Sequence, residues 1–229
     1  MLPKAGDAEF VCAMEDVLEV YTREYDPEHP VVCVDEASKQ LVADVTPPVP
    51  MQPGQPARQD YEYERCGTAN LFMAFEPLAG RRQVKVTARR TSADFAELLR
   101  DLSDVHYPQA HKIVLVMDNL NTHKLSVLYQ VFSPQAARRL YERFEVHHTP
   151  KHASWLNIAE CELSVLSRQC LDRRIDSQSY LASEVGSWER SRNRQQVCVD
   201  WRFTTDKARI KLKRLYPVLS SPNEIETIH

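Results

Sequence analysis

The sequence predicts an α/β protein, a mixed sheet flanked by helices. Two observations carry that expectation. Strand-like stretches first follow one another through turn signals, which favours antiparallel hairpins; later they alternate with helical stretches, which favours parallel pairing. Two runs, Val31–Val34 and Ile113–Met117, are apolar throughout, as buried strands are.

Taken in order, Phe10, Met14, Val17, Leu18 and Tyr21 recur at helical spacing, so residues 8–24 open the chain as an amphipathic helix. Pro27 and Pro30 end it, and Val31–Asp35 forms the first strand, continuing through Leu41–Val45 after a bend. Five prolines and Gly54 crowd the next stretch, giving an exposed Pro-rich loop at 47–59. Strands follow at Tyr61–Arg65, Asn70–Phe75 and Gln83–Thr87, with turn signals at Cys66-Gly67 and Gly80-Arg81. Thr91-Ser92-Ala93-Asp94 starts a helix with Phe95, Leu98, Leu99 and Leu102 on one face. After Ile113–Asp118, two helices at His123–Phe132 and Gln135–Phe144 are split by Ser133-Pro134. A short strand, Glu145–His148, leads into a helix whose apolar face holds Leu156, Ala159, Leu163, Leu166 and Cys170. From about Ser177 the chain reads as helical, with Trp188 and Trp201 as packing anchors. The organisation expected is a leading helix and linker (1–30), a central domain (31–176) and a helical extension (177–229).

At 229 residues, with 43% hydrophobic and 27% charged, the chain has the length and composition of a soluble domain with a real core. No run approaches the roughly 18 apolar residues a membrane span needs, so no membrane partner is expected and the location expected is cytoplasmic. The six scattered cysteines contain no C-x-x-C pair and read as reduced, mostly buried thiols rather than a disulfide or zinc framework. Net charge is −3, against a chain coated for nucleic acid, yet Arg202–Pro217 carries six basic residues and only Asp206. A local patch of that kind can grip phosphates.

Three acids stand out. Asp35 closes the first apolar run and Asp118 the second, and in open α/β sheets sites form near the carboxyl ends of strands. An Asp in such a place also caps turns, so placement alone is not decisive. The third acid lies on the helix after Asn157. At about 100° per residue, Glu160 and Glu162 flank its apolar face symmetrically, and periodicity leaves both open. Three carboxylates at one sheet edge suit two divalent ions about 3.5–4 Å apart, the arrangement for in-line attack on a phosphodiester.

The strings Asp35-Glu36-Ala37-Ser38, Leu115-Val116-Met117-Asp118-Asn119-Leu120-Asn121-Thr122-His123 and Thr149-Pro150-Lys151-His152-Ala153-Ser154-Trp155-Leu156-Asn157-Ile158-Ala159-Glu160 together resemble a DDE transposase of the bacterial insertion-sequence branch of the Tc/mariner superfamily. The resemblance spans about Glu15 to Pro217. It implies a ribonuclease-H-like, retroviral-integrase-type fold with a mixed five-stranded sheet flanked by helices. It also selects Glu160, since the family's third motif pairs an asparagine with a glutamate three residues later. Asp118 and Glu160 stand 42 residues apart, compatible with this branch though longer than in its animal relatives. Asp35, Asp118 and Glu160 are then the expected catalytic residues and metal ligands for two Mg2+ ions, with Mn2+ as a substitute.

The implied activity is cleavage at transposon ends and joining of 3′-hydroxyls to target DNA, typically at TA, by a homodimer that synapses two ends. Bound to DNA, the protein would associate with the nucleoid. Asn119, His123 and Asn157 are candidate supporting residues; Lys124, Lys151, His152, Lys207, Lys211 and Arg214 are candidate DNA contacts. Trp155 reads as a core anchor or as a platform for an extruded base. Relatives carry an N-terminal helix-turn-helix region that this chain does not show, so the expectation is that end recognition needs a separate DNA-binding polypeptide or has been lost. The alternatives are an inactive or regulatory fragment that binds DNA or full-length transposase, and a less specific metal-dependent nuclease.

Overall fold

The computed structural model describes residues 5–47, 49–56, 60–119 and 124–218. Asp7 caps α1 (Ala8–Tyr21) by accepting from the Phe10 N–H, and the helix buries Phe10, Met14, Val17 and Leu18. The chain then enters β1 (Val31–Asp44), which pairs antiparallel with β2 (Tyr63–Glu76). Both strands are longer than their apolar cores suggest. The Cys66-Gly67 turn signal proves to be a β-bulge inside β2, facing the register shift between Leu41 and Val42, and Gly67 sits at φ +109°. The expected separate strands Tyr61–Arg65 and Asn70–Phe75 are therefore one, and β1 crosses its expected bend without a break. Gly80 does make a hairpin, leading to β3 (Arg81–Thr87). Its φ is +62°, and a Cβ there would stand 2.7 Å from the Gln196 carbonyl carbon, so both turn and packing require glycine.

Thr91 and Asp94 form a reciprocal capping box at the start of α2 (Ser92–Asp101). Next come β4 (Ile113–Met117), α3 (Leu128–Val131), α4 (Pro134–Tyr141) and β5 (Phe144–His148). Residues 120–123, with His123, lie outside the described residues, and a 3₁₀ turn at Leu125–Val127 precedes α3. The last helices are α5 (Ile158–Leu166), α6 (Gln178–Arg194) and α7 (Thr205–Lys211).

The sheet order is β3-β2-β1-β4-β5, with β4 parallel to both β1 and β5. Alternate residues of the two central strands feed opposite layers. Val32, Val34, Ile113, Leu115 and Met117 pack with Phe95, Leu99, Leu128 and Leu140 from α2, α3 and α4. Cys33, Val114 and Val116 pack with Met14, Leu18, Leu163 and Val185 from α1, α5 and α6. That two-sided burial is why β4 reads as five consecutive apolar residues. Each fully buried Leu or Phe contributes about 1.5–3 kcal/mol.

Edge strand β3 is protected by side chains of α6. Asn193 Oδ1 accepts from the Arg82 N–H at 2.9 Å, and Glu189 Oε2 accepts from the Val84 N–H at 2.8 Å, in place of another strand. Only Cys33 and Cys170 are buried; Cys12, Cys66, Cys161 and Cys198 are exposed and all six are free. The expectation that most would be buried was wrong. Trp188 and Trp201 do pack against the α1/α5/α6 layer. No helix among the described residues is long and apolar enough to cross a membrane.

Candidate active site

A crevice opens where β1 parts from β4. Their parallel pairing ends at Cys33 opposite Val116, after which β1 stays bonded only to β2, with Asp35 opposite Met73. β4 itself stops at Met117, leaving Asp118 as the first residue beyond it. Diverging neighbours leave room above the sheet for a ligand. Asp35 is thus not at a strand end, as the sequence suggested. It lies within β1 at the end of the β1/β4 ladder, which is the end that matters.

The third acid arrives on α5, whose start is fixed by Asn157. This side chain is buried; its Oδ1 accepts from the Ala159 N–H at 3.2 Å as the helix N-cap, and its Nδ2 donates to the Val34 carbonyl at 3.0 Å. The cap therefore also tethers α5 to the residue before Asp35. Three residues on, Glu160 is exposed, whereas Glu162 is only 3% exposed. Two helical steps, about 200°, send the two glutamates to nearly opposite sides.

Asp35, Asp118, Asn157 and Glu160 all line one cleft of about 400 Å³, together with Glu36 and Ser154. Burial pushes the Asp35 carboxyl up to about 7; the Glu36 N–H, donating to its Oδ1 at 2.8 Å, opposes the rise, and the charges of Asp118, Glu36 and Glu160 add to it. Three carboxylates thus share one field. Among the described residues no three His, Cys, Asp or Glu side chains are already gathered as a metal cage. Hard oxygen donors around an open, polar cleft nevertheless suit Mg2+, which keeps several waters and needs few carboxylates. A cation would also offset the burial and the neighbouring charges that raise Asp35.

The other expected residues that are described fall outside the cleft lining. Asn119, Lys124, Lys151 and His152 are exposed on loops nearby in sequence, and His152 has φ +64°. Lys207, Lys211 and Arg214 are exposed while Ala208 and Leu215 are buried. Their segment packs on α1, where Arg209 makes a two-point ion pair with Glu15. Trp155 is 41% exposed and stacks on Trp201 at 6.4 Å, so it is no core anchor. Sequence reasoning passed over Glu36 as a cleft residue. Its side chain is 2% exposed, with Arg90 Nη1 at 3.3 Å from its Oε1; the adjacent acids Asp35-Glu36 were the available signal.

Strand order, parallel and antiparallel pairing and flanking helices make this a ribonuclease-H-like fold. The chain belongs to the DDE superfamily endonuclease family, whose profile matches residues 30–182. No curated protein matches it. Among solved structures it resembles the Mos1 mariner paired-end complex with Mn (16% identity, TM-score 0.54, covering 86% of this chain and 61% of that one). The Mos1 strand transfer complex (17%, 0.54, 82% and 56%) and the Mos1 paired-end complex with Mg (16%, 0.54, 94% and 66%) are similar to it as well. The likeness is one of fold, and the chain spans less than two thirds of those Mos1 chains.

Proposed function

We propose that this chain is the catalytic part of a Tc/mariner-type DNA transposase of the bacterial insertion-sequence branch. In this reading residues 31–176 form the catalytic domain, 1–30 its leading helix and linker, and 177–229 a helical extension with a basic tail. The observation that carries the proposal is the convergence of Asp35, Asp118 and Glu160 on one cleft, from three separate elements. Family membership and the fold shared with Mos1 complexes support it.

Asp35, Asp118 and Glu160 would hold two divalent ions, Mg2+ or Mn2+, whose chemistry is to lower the pKa of the attacking hydroxyl and stabilise charge on the entering and leaving oxygens. The chain's own work is placement. Asn157 ties the start of α5 to β1, so Glu160 and Asp35 line the same cleft. The Glu36 N–H holds one Asp35 oxygen, Oδ1, which fixes the carboxylate on the strand that lines the cleft. Lys124, Lys151, His152, Lys207, Lys211 and Arg214 are the proposed phosphate contacts, each worth an increment of salt-sensitive affinity. Water as nucleophile gives strand cleavage, and a terminal 3′-hydroxyl gives strand transfer, at TA in this family. DNA and a second copy of the chain are the proposed partners.

The test uses labelled transposon-end duplex with Mg2+ or Mn2+. Metal-dependent nicking by the wild type and none by Asp118→Asn is expected. Nicking that persists unchanged in Asp118→Asn would remove the proposed site. Absence of cleavage by either protein would favour a regulatory, DNA-binding role.

A further inference from the structure

Outside the cleft, the least ordinary group in the molecule is a fully buried arginine. Arg82 on β3 is 0% exposed, and its guanidinium donates to the Gly80 carbonyl at 2.9 Å, the Val197 carbonyl at 2.6 Å and Asn193 Oδ1 at 3.2 Å. It lies over the Phe75 ring at 4.6 Å. Its Nε lies 2.9 Å from Glu162 Oε1, a close charge contact off the hydrogen-bond line. Glu162 has a second partner. Arg192 of α6 grips it at both oxygens, Nε to Oε1 at 2.7 Å and Nη2 to Oε2 at 3.2 Å. Arg192 in turn rests on the Trp188 ring.

Burying an ion pair gains little stability over apolar packing, but it demands one geometry. Here the geometry concerns α5. Asn157 pins the helix at its N-cap to Val34, and a helix held at one point can still swivel about that point. Glu162 supplies a second anchor slightly more than one turn later, fixed from two other elements, β3 and α6. Because Glu160 is about 200° from Glu162, locking one into the arginines turns the other toward Asp35 and Asp118. Arg192 lies beyond residues 30–182, the part matching the endonuclease family.

We infer that Arg192 and Arg82, acting through Glu162, are positioning residues for Glu160, so that α6 of the C-terminal extension completes the active site. The inference rests on the transposase reading for Glu160's role. It assigns α6 a part in metal binding and turnover that its cover of the β3 edge does not require.

The experiment compares wild type, Arg192→Met and Arg192→Lys in the full chain. Arg192→Met leaves the Arg82–Glu162 pair neutral, so the protein should fold; thermal unfolding and circular dichroism check this. Expected for Arg192→Met are at least a tenfold fall in kcat for end cleavage, weaker Mn2+ binding by titration without DNA, and a DNA Kd within twofold of wild type. Arg192→Lys, which keeps the charge but loses the two-point grip, should recover part of both losses. Cleavage and Mn2+ affinity of folded Arg192→Met within twofold of wild type would overturn the inference. So would losses that merely follow the unfolded fraction. If the wild type itself cleaves nothing, the transposase reading fails, and the Mn2+ titration alone decides whether Arg192 positions the acids.

Discussion

Glu160 and Glu162 share a helix, a side-chain type and a neighbourhood of two residues, yet their surroundings are opposite. Glu162 is dry and neutralised by two arginines, one of them wholly buried. Glu160 opens on a cleft whose other charged walls are Asp35, Glu36 and Asp118. Arg90 already pairs Glu36, but Asp35, Asp118 and Glu160 on one cleft are not a device for stability, since like charges in partial burial repel. The neutralised glutamate holds structure, and the unneutralised one is left available to a cation. The difference lies in what each side of α5 faces, not in the residues themselves.

Exchanging the two roles produces the largest effects. Glu160→Gln removes charge from the cleft and is expected to lower metal-dependent cleavage about 10²–10³-fold, in the range seen when one preorganised electrostatic group is lost. Its unfolding midpoint in urea should equal or exceed that of wild type. Glu162→Ala strips both arginines of their partner and should cost about 3–5 kcal/mol of stability, measured by the same urea titration. A Glu162→Ala protein as stable as wild type would show that the buried cluster holds nothing in place.

The next effect is a stability that runs the unusual way with pH. The folded Asp35 carboxyl sits near 7, above the ordinary 3.8. Between those values the folded state keeps a proton that the unfolded state has released. Metal-free protein should therefore lose stability as pH rises from about 4 through 7, by up to roughly 4 kcal/mol. Asp35→Asn should flatten that slope, and added Mg2+ should raise Tm more at pH 8 than at pH 5. The measurement is thermal unfolding across that range. An identical slope in wild type and Asp35→Asn would place the raised carboxyl elsewhere.

What the sequence made legible follows the same division. The sheet was readable because β4 is apolar for five residues and because Thr91, Ser133 and Asn157 announce their helices by chemistry that the structure uses. Asp35 was readable as an acid after an apolar run, although that run ends where β1 loses one neighbour rather than where the strand stops. Gly67 misled because a positive φ serves a bulge as well as a turn. Periodicity could not separate Glu160 from Glu162, since both lie equally far from the apolar face. Their surroundings are set by Arg82 and Arg192, 80 residues before and 30 after Glu162, and contacts at that separation leave no periodic trace. Trp155 and four of the cysteines show the same limit, because residue type alone does not say which side a turn presents.

The smallest effect to be sought is also the most discriminating, because Asn157 touches both halves of the comparison. As a cap it accepts from Ala159, and as a tether it donates to Val34. Asn157→Ala loses both and should cost about 1–2 kcal/mol in urea unfolding. Asn157→Asp keeps the cap, and its charge suits a helix N-terminus, yet it cannot donate to the Val34 carbonyl. If capping alone matters, the Asp variant should cleave like wild type. If the tether sets Glu160 against Asp35, the Asp variant should regain stability over Ala and still cleave more slowly than wild type, with weaker Mn2+ binding. Stability and cleavage that recover together would reduce Asn157 to an ordinary helix cap.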